Sequence, residues 1–88
     1  MNEILAVVGS ITGAVRLQKD LNRKGYLKVY AVNTPTCLNS GGCSYSLKFS
    51  EDINQAFFGA ANRRRIKVRG LYKIVKDERG EEVYESIS

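Results

Sequence analysis

Two cysteines, Cys37 and Cys43, bracket a Gly/Ser-rich stretch within TPTCLNSGGCSYSLKF. Thiols are the only good nucleophiles this chain offers near neutral pH, since it has no histidine to serve as a base. The same inventory excludes a structural metal site within one chain, because such a site needs about four donors. No P-loop, dinucleotide fingerprint or acid/base catalytic pair is present, so the chain does not read as an enzyme in its own right. Three readings of the pair remain: a reactive thiol used for carriage or redox exchange, a local disulfide, or two small packing residues. A disulfide closing the seven-residue loop would contribute only about 2 kcal/mol through chain entropy. The five intervening residues include two glycines and let the sulfurs meet. The spacing is not C-x-x-C, however, and dithiol redox chemistry with Cys37 resolving Cys43 ranks behind chemistry at a single thiol.

The rest of the chain must position that loop. Its 88 residues, 43% hydrophobic and 26% charged, fit one domain with one core. We expect a core over residues 3–76 and a hairpin strand with an acidic tail over 77–88. The apolar run Ile4 to Val8 is too short for a signal h-region or a membrane span. The expected location is therefore the cytoplasm, where thiols stay reduced. Residues 1–76 hold 13 Lys/Arg against 4 Asp/Glu, and residues 77–88 hold one Arg against five acids. A basic body with an acidic tail attracts nucleic acid or an acidic partner, or serves only as a solvated surface that keeps a small protein soluble.

Strand one reads as Glu3 to Val8, apolar on both faces and ended by Gly9. Ser10 stands where a helix N-cap belongs. Ile11, Ala14, Val15, Leu17 and Leu21 share a stripe, and Gly25 supplies the stop. Strand two is expected over Lys28 to Asn33 and is ended by Pro35. Strand three, Tyr45 to Phe49, alternates cleanly, with Tyr45, Leu47 and Phe49 pointing one way. Ser50 is the expected cap of a second helix that buries Ile53, Ala56, Phe57 and Ala60. That helix ends on Arg63, Arg64 and Arg65, where cations suit the dipole. Strand four is expected over Val68 to Lys76. A turn at DERG, with Gly80 left-handed, leads into an edge strand over Glu81 to Glu85.

The order β-α-β-β-α-β plus one strand predicts an α+β, ferredoxin-like sandwich: an antiparallel sheet with two helices on one face. Right-handed crossover makes strands one and two run in the same direction, with strand three between them. Three segments should then meet at one end: Gly9, Ser10, Ile11 and Thr12 at a helix N-terminus, the cysteine loop, and the basic run RRRIKVR. A thiol in that company favours its thiolate. Lowering a thiol from about 8.5 by one unit raises the ionised fraction at pH 7 from roughly 3% to about 25%.

Pro35 after strand two, the Ser40, Gly41 and Gly42 loop, and Cys43 immediately before strand three resemble the selenium/sulfur carrier protein-like domains. The resemblance covers roughly residues 3–75. It implies that Cys43 is the carrier thiol, holding sulfur or selenium as a persulfide-type adduct and needing no other cofactor. It further implies partner proteins that donate or accept that atom. Ser44 stands where the family usually has glycine, and Cys37 is an addition to the pattern. Gly41 and Gly42 let backbone N–H groups turn toward an anion, beside Ser10, Thr12, Ser40 and the arginines 63–65 as candidate binding groups.

Two further expectations concern partners. Nucleic acid is not the expected one: strand three reads SYSLKF rather than the RNP pattern of RRM domains, although Tyr30 and Tyr72 could lie on the open sheet face. Apolar residues on both faces of strands one and two favour a homodimer covering that face. Phe58, off the helical stripe, marks either an interface or packing beneath a loop.

Overall fold

The computed structural model describes residues 2–38 and 44–87. Five strands and two helices follow in the order β1 (Glu3–Gly9), α1 (Ile11–Arg23), β2 (Tyr30–Asn33), β3 (Tyr45–Ser50), α2 (Asn54–Arg63), β4 (Gly70–Lys76) and β5 (Glu82–Ser86). Short 3-10 turns occupy Thr36–Leu38 and Glu51–Ile53. The strands form one antiparallel sheet in the order β2-β3-β1-β4-β5. β3 lies between β1 and β2 and is antiparallel to both, so those two run in the same direction. No helix among the described residues is long and apolar enough to cross a membrane.

Alternation along β1 sorts its side chains. Ile4, Ala6 and Val8 join Leu47, Phe49 and Leu71 beneath Leu17 and Leu21 of α1 and Phe57, Ala60 and Ala61 of α2, making one core. Phe49 stacks on Phe57 at 4.8 Å between ring centroids, and Phe58 meets Phe57 edge-on at 5.3 Å. Phe58 is thus half-buried packing against the core. On the opposite face, Leu5 and Val7 are only 2% and 8% exposed within the single chain. A second copy is not required to cover them.

The helices end by the same device. Tyr26 N–H bonds to the Leu21 carbonyl and Gly25 N–H to that of Asn22, with Gly25 at φ +98°. This is a Schellman motif with glycine at its left-handed position. α2 repeats it: Ile66 N–H bonds to Ala61, Arg65 N–H to Asn62, and Arg65 itself holds φ +54°. The β4–β5 turn forms as expected, with Gly80 at φ +80°. Asp77 Oδ1 accepts from the N–H groups of Arg79 and Glu81, each at 2.9 Å.

Several boundaries move for identifiable reasons. β2 begins at Tyr30 rather than Lys28, because the Val29 carbonyl accepts from Gln18 Nε2 of α1 at 3.1 Å. Ser50 precedes a 3-10 turn, and α2 starts at Asn54, four residues after its apparent cap. β4 begins at Gly70, although Arg69 N–H already bonds to the Val7 carbonyl at 2.7 Å.

Candidate functional site

The turn between β1 and α1 is built from a bulge, a glycine and a cap. The β1–β3 register shifts between Val7 and Gly9, leaving Gly9 opposite Tyr45 at φ +97°. Ser10 Oγ then accepts the Gly13 N–H at 3.1 Å and caps α1. The Arg69 guanidinium lies against Gly9: a Cβ there would stand 3.0 Å from both Arg69 Cζ and Nε. The dihedral calls for glycine here, and any side chain would also have to displace the exposed Arg69 guanidinium by a few tenths of an ångström. The turn therefore combines the positive end of α1 with a cation, and Thr12 is exposed on the helix's first turn.

The same register brings the cysteine loop's return beside this turn, since Tyr45 faces Gly9 and Ser44 immediately precedes it. Three hydroxyls brace the base of the loop. Thr34 Oγ1 donates to Ser44 Oγ at 3.0 Å and shares a 2.6 Å hydrogen bond with Ser46 Oγ. Thr34 N–H also bonds to the Ser44 carbonyl at 2.9 Å. Thr34 and Ser46 are both buried, so this cluster holds the two ends of the loop together where water does not compete. Sequence patterning does not reveal it, because it depends on β2–β3 register. Ser40, Gly41, Gly42 and Cys43 lie outside the described residues.

The basic run divides between two places. Arg69 reaches the β1–α1 turn. Arg64 instead forms a two-pronged ion pair with Asp20 of α1, its Nη2 2.7 Å from Oδ1. Asp20 stands ten residues beyond Ser10, about 15 Å along the helix axis. The Arg64 hydrogen bond, assisted by the charges of Arg64, Arg23 and Arg63, holds the Asp20 carboxyl below its ordinary value despite partial desolvation. Arg63 joins Arg23 and Lys24 around the same open groove of about 440 Å³. Arg65 is exposed in its left-handed position.

Cys37 is an exposed free thiol in the 3-10 turn after Pro35. Tyr84 sits opposite Ile74, on the sheet face away from the helices. Burial, then the Glu82 carboxylate and Cys37, push the Tyr84 phenol above its ordinary value, against an opposing pull from Lys48. Among the described residues, no group of three metal-ligating side chains is placed to hold a metal ion.

No curated protein and no solved structure matches the chain. The model of the family described as "Putative Se/S carrier protein-like" matches residues 3–73. With residues 3–73 matched, which takes in β1 through most of β4 and the whole cysteine loop, the chain belongs to that family.

Proposed function

We propose that the protein carries sulfur or selenium on Cys43. The observation that supports this best is the pairing of Tyr45 with Gly9, which returns the loop beside a helix N-terminus and Arg69 in a chain of this family. A thiolate two residues before Tyr45 would enter a field that favours negative charge. In this reading β2-β3-β1-β4 with its helices is the ferredoxin-like arrangement, extended by β5, and the protein works in the cytoplasm.

Loading is an exchange with no net oxidation. The Cys43 thiolate attacks the outer sulfur of a donor protein's cysteine persulfide. The donor's S–S bond breaks as the new one forms, and the donor cysteine leaves as a thiolate. Cys43 holds the persulfide, with selenium taking the outer position in the selenium case. An acceptor nucleophile then removes the outer atom and frees the Cys43 thiolate. The backbone N–H groups of Gly41 and Gly42, Ser40 and the exposed start of α1 at Thr12 are the proposed donors to the charged adduct. Iodoacetamide alkylation followed against pH, with peptide mapping, tests the activated thiol. Cys43 should react faster than Cys37 and with an apparent pKa below about 8.5. A Cys43 that reacts only after denaturation contradicts the proposal.

The second reading is dithiol exchange between Cys37 and Cys43. Its specific support is that Cys37 is an exposed free thiol at the other end of the same loop.

A further inference from the structure

The face of α1 turned away from the core carries two kinds of side chain in one continuous patch. Near Ser10, Ile11 is 51% exposed. With Thr12, Val15, Arg16 and Lys19 it lines a shallow depression of about 350 Å³. Arg16, Lys19 and Arg23 follow at spacings of three and four residues, a row about 10 Å long on one side of the helix. Beyond the row lies the groove toward α2, where Asp20 is the one carboxylate among the described lining residues and is already taken by Arg64. Arg23, Lys24 and Arg63 remain there as uncompensated charge. The two helix C-termini supply only about half a negative charge each. The patch therefore keeps a positive surplus of roughly two charges at the groove alone.

We propose that this face of α1 docks an acidic, amphipathic segment of the protein that exchanges sulfur with the chain. Carboxylates of that segment meet Arg16, Lys19 and Arg23, and an apolar residue settles on Ile11 and Val15. The patch begins at the residue after Ser10, so a partner bound there stands beside the turn where the thiol works. A protein segment fits better than single-stranded RNA. α1 reads ITGAVRLQKDLNR and offers no aromatic ring for base stacking, whereas apolar contacts within a charged surround are what protein interfaces use. The surface assignment rests on the carrier function proposed above.

The probe is a helical peptide about three turns long, with glutamates on one stripe, leucines beside them and one cysteine persulfide. It is compared with its Glu→Gln counterpart, with glutathione persulfide and with poly(U) RNA. Binding is read by fluorescence anisotropy and sulfur uptake by intact mass, on wild type and on the Arg16→Glu/Lys19→Glu/Arg23→Glu variant. These three side chains are exposed, and circular dichroism checks that the variant folds. The acidic peptide should bind and load wild type about tenfold better than the neutral one at low salt, an advantage that the charge-reversed variant loses. Glutathione persulfide should load both proteins within about twofold. Equal binding of the two peptides, or an advantage that survives charge reversal, overturns the docking surface. Tighter, reversal-sensitive binding of poly(U) overturns it in favour of nucleic acid. Reversal-sensitive peptide binding without uptake from any persulfide would uphold the surface and overturn the carrier function beneath it.

Discussion

Replacing Arg65 by glycine should make the protein more stable although it deletes a long charged side chain. Arg65 occupies the left-handed position of the α2 Schellman motif at φ +54°, the position that Gly25 fills at the end of α1. Holding an L-residue there costs roughly 1–2 kcal/mol. Glycine removes that cost but loses about 0.5–1 kcal/mol through its greater freedom in the unfolded chain. The expected net gain for Arg65→Gly is about 0.5–1 kcal/mol, or roughly 3–6 °C in midpoint for a domain of this size. Arg65→Ala separates backbone from side chain: it removes the guanidinium, keeps the strain and should leave stability within about 0.5 kcal/mol of wild type. Gly25→Ala is the converse, since no atom lies within 4 Å of the added Cβ. Its net loss should be about 0.5–1 kcal/mol, the left-handed strain less the freedom that alanine removes from the unfolded chain. Urea unfolding of the three variants measures all of this. Arg65→Gly no more stable than Arg65→Ala would refute the strain.

Gly9→Ala should destabilise by roughly 1–2 kcal/mol. Adding Arg69→Ala should recover the part due to the 3.0 Å contact with the guanidinium, a coupling that a double-mutant cycle measures. Thr34→Val leaves the buried Ser46 hydroxyl without its 2.6 Å partner and should cost about 1–3 kcal/mol by chemical denaturation. Full stability in that variant would show that the hydroxyl cluster does not brace the loop. Asp20 has its carboxyl held below the ordinary value of 3.8, chiefly by its hydrogen bond to Arg64. The pair's contribution is therefore present at neutral pH and lost as pH falls below that value through the lowered native one. Asp20→Asn should be slightly less stable than wild type at pH 7, and the difference should close in acid. A gap that widens in acid would contradict the assignment.

Local patterns made most of the elements legible. The stripe Ala14, Leu17 and Leu21, the alternation of Tyr45, Leu47 and Phe49, and the glycines at 25 and 80 each announce their structure within a few residues. What depended on register or distance was hidden. The Arg64–Asp20 pair joins residues 44 positions apart, so nothing local distinguishes Arg64 from Arg63 or Arg69. The hydroxyl cluster requires knowing that Val32 faces Ser46 across β2 and β3. Arg65 is left-handed where no glycine signals it. Gly9 read as a strand stop, whereas the bulge and the Arg69 contact give it a second role. Ser50 looked like a helix cap because it precedes Glu51 and Asp52, but those residues form a tighter turn before the helix begins.

The central claim is that one particular sulfur carries the atom. Intact mass after treatment with a cysteine-desulfurase-type persulfide donor tests it on wild type, Cys37→Ser and Cys43→Ser. Carriage on a single thiolate predicts that wild type and Cys37→Ser gain the mass of a sulfur atom, which a reductant then releases, while Cys43→Ser gains nothing. Equal loss in both variants, together with a Cys37–Cys43 disulfide in wild type, would contradict carriage and give the loop to dithiol exchange instead.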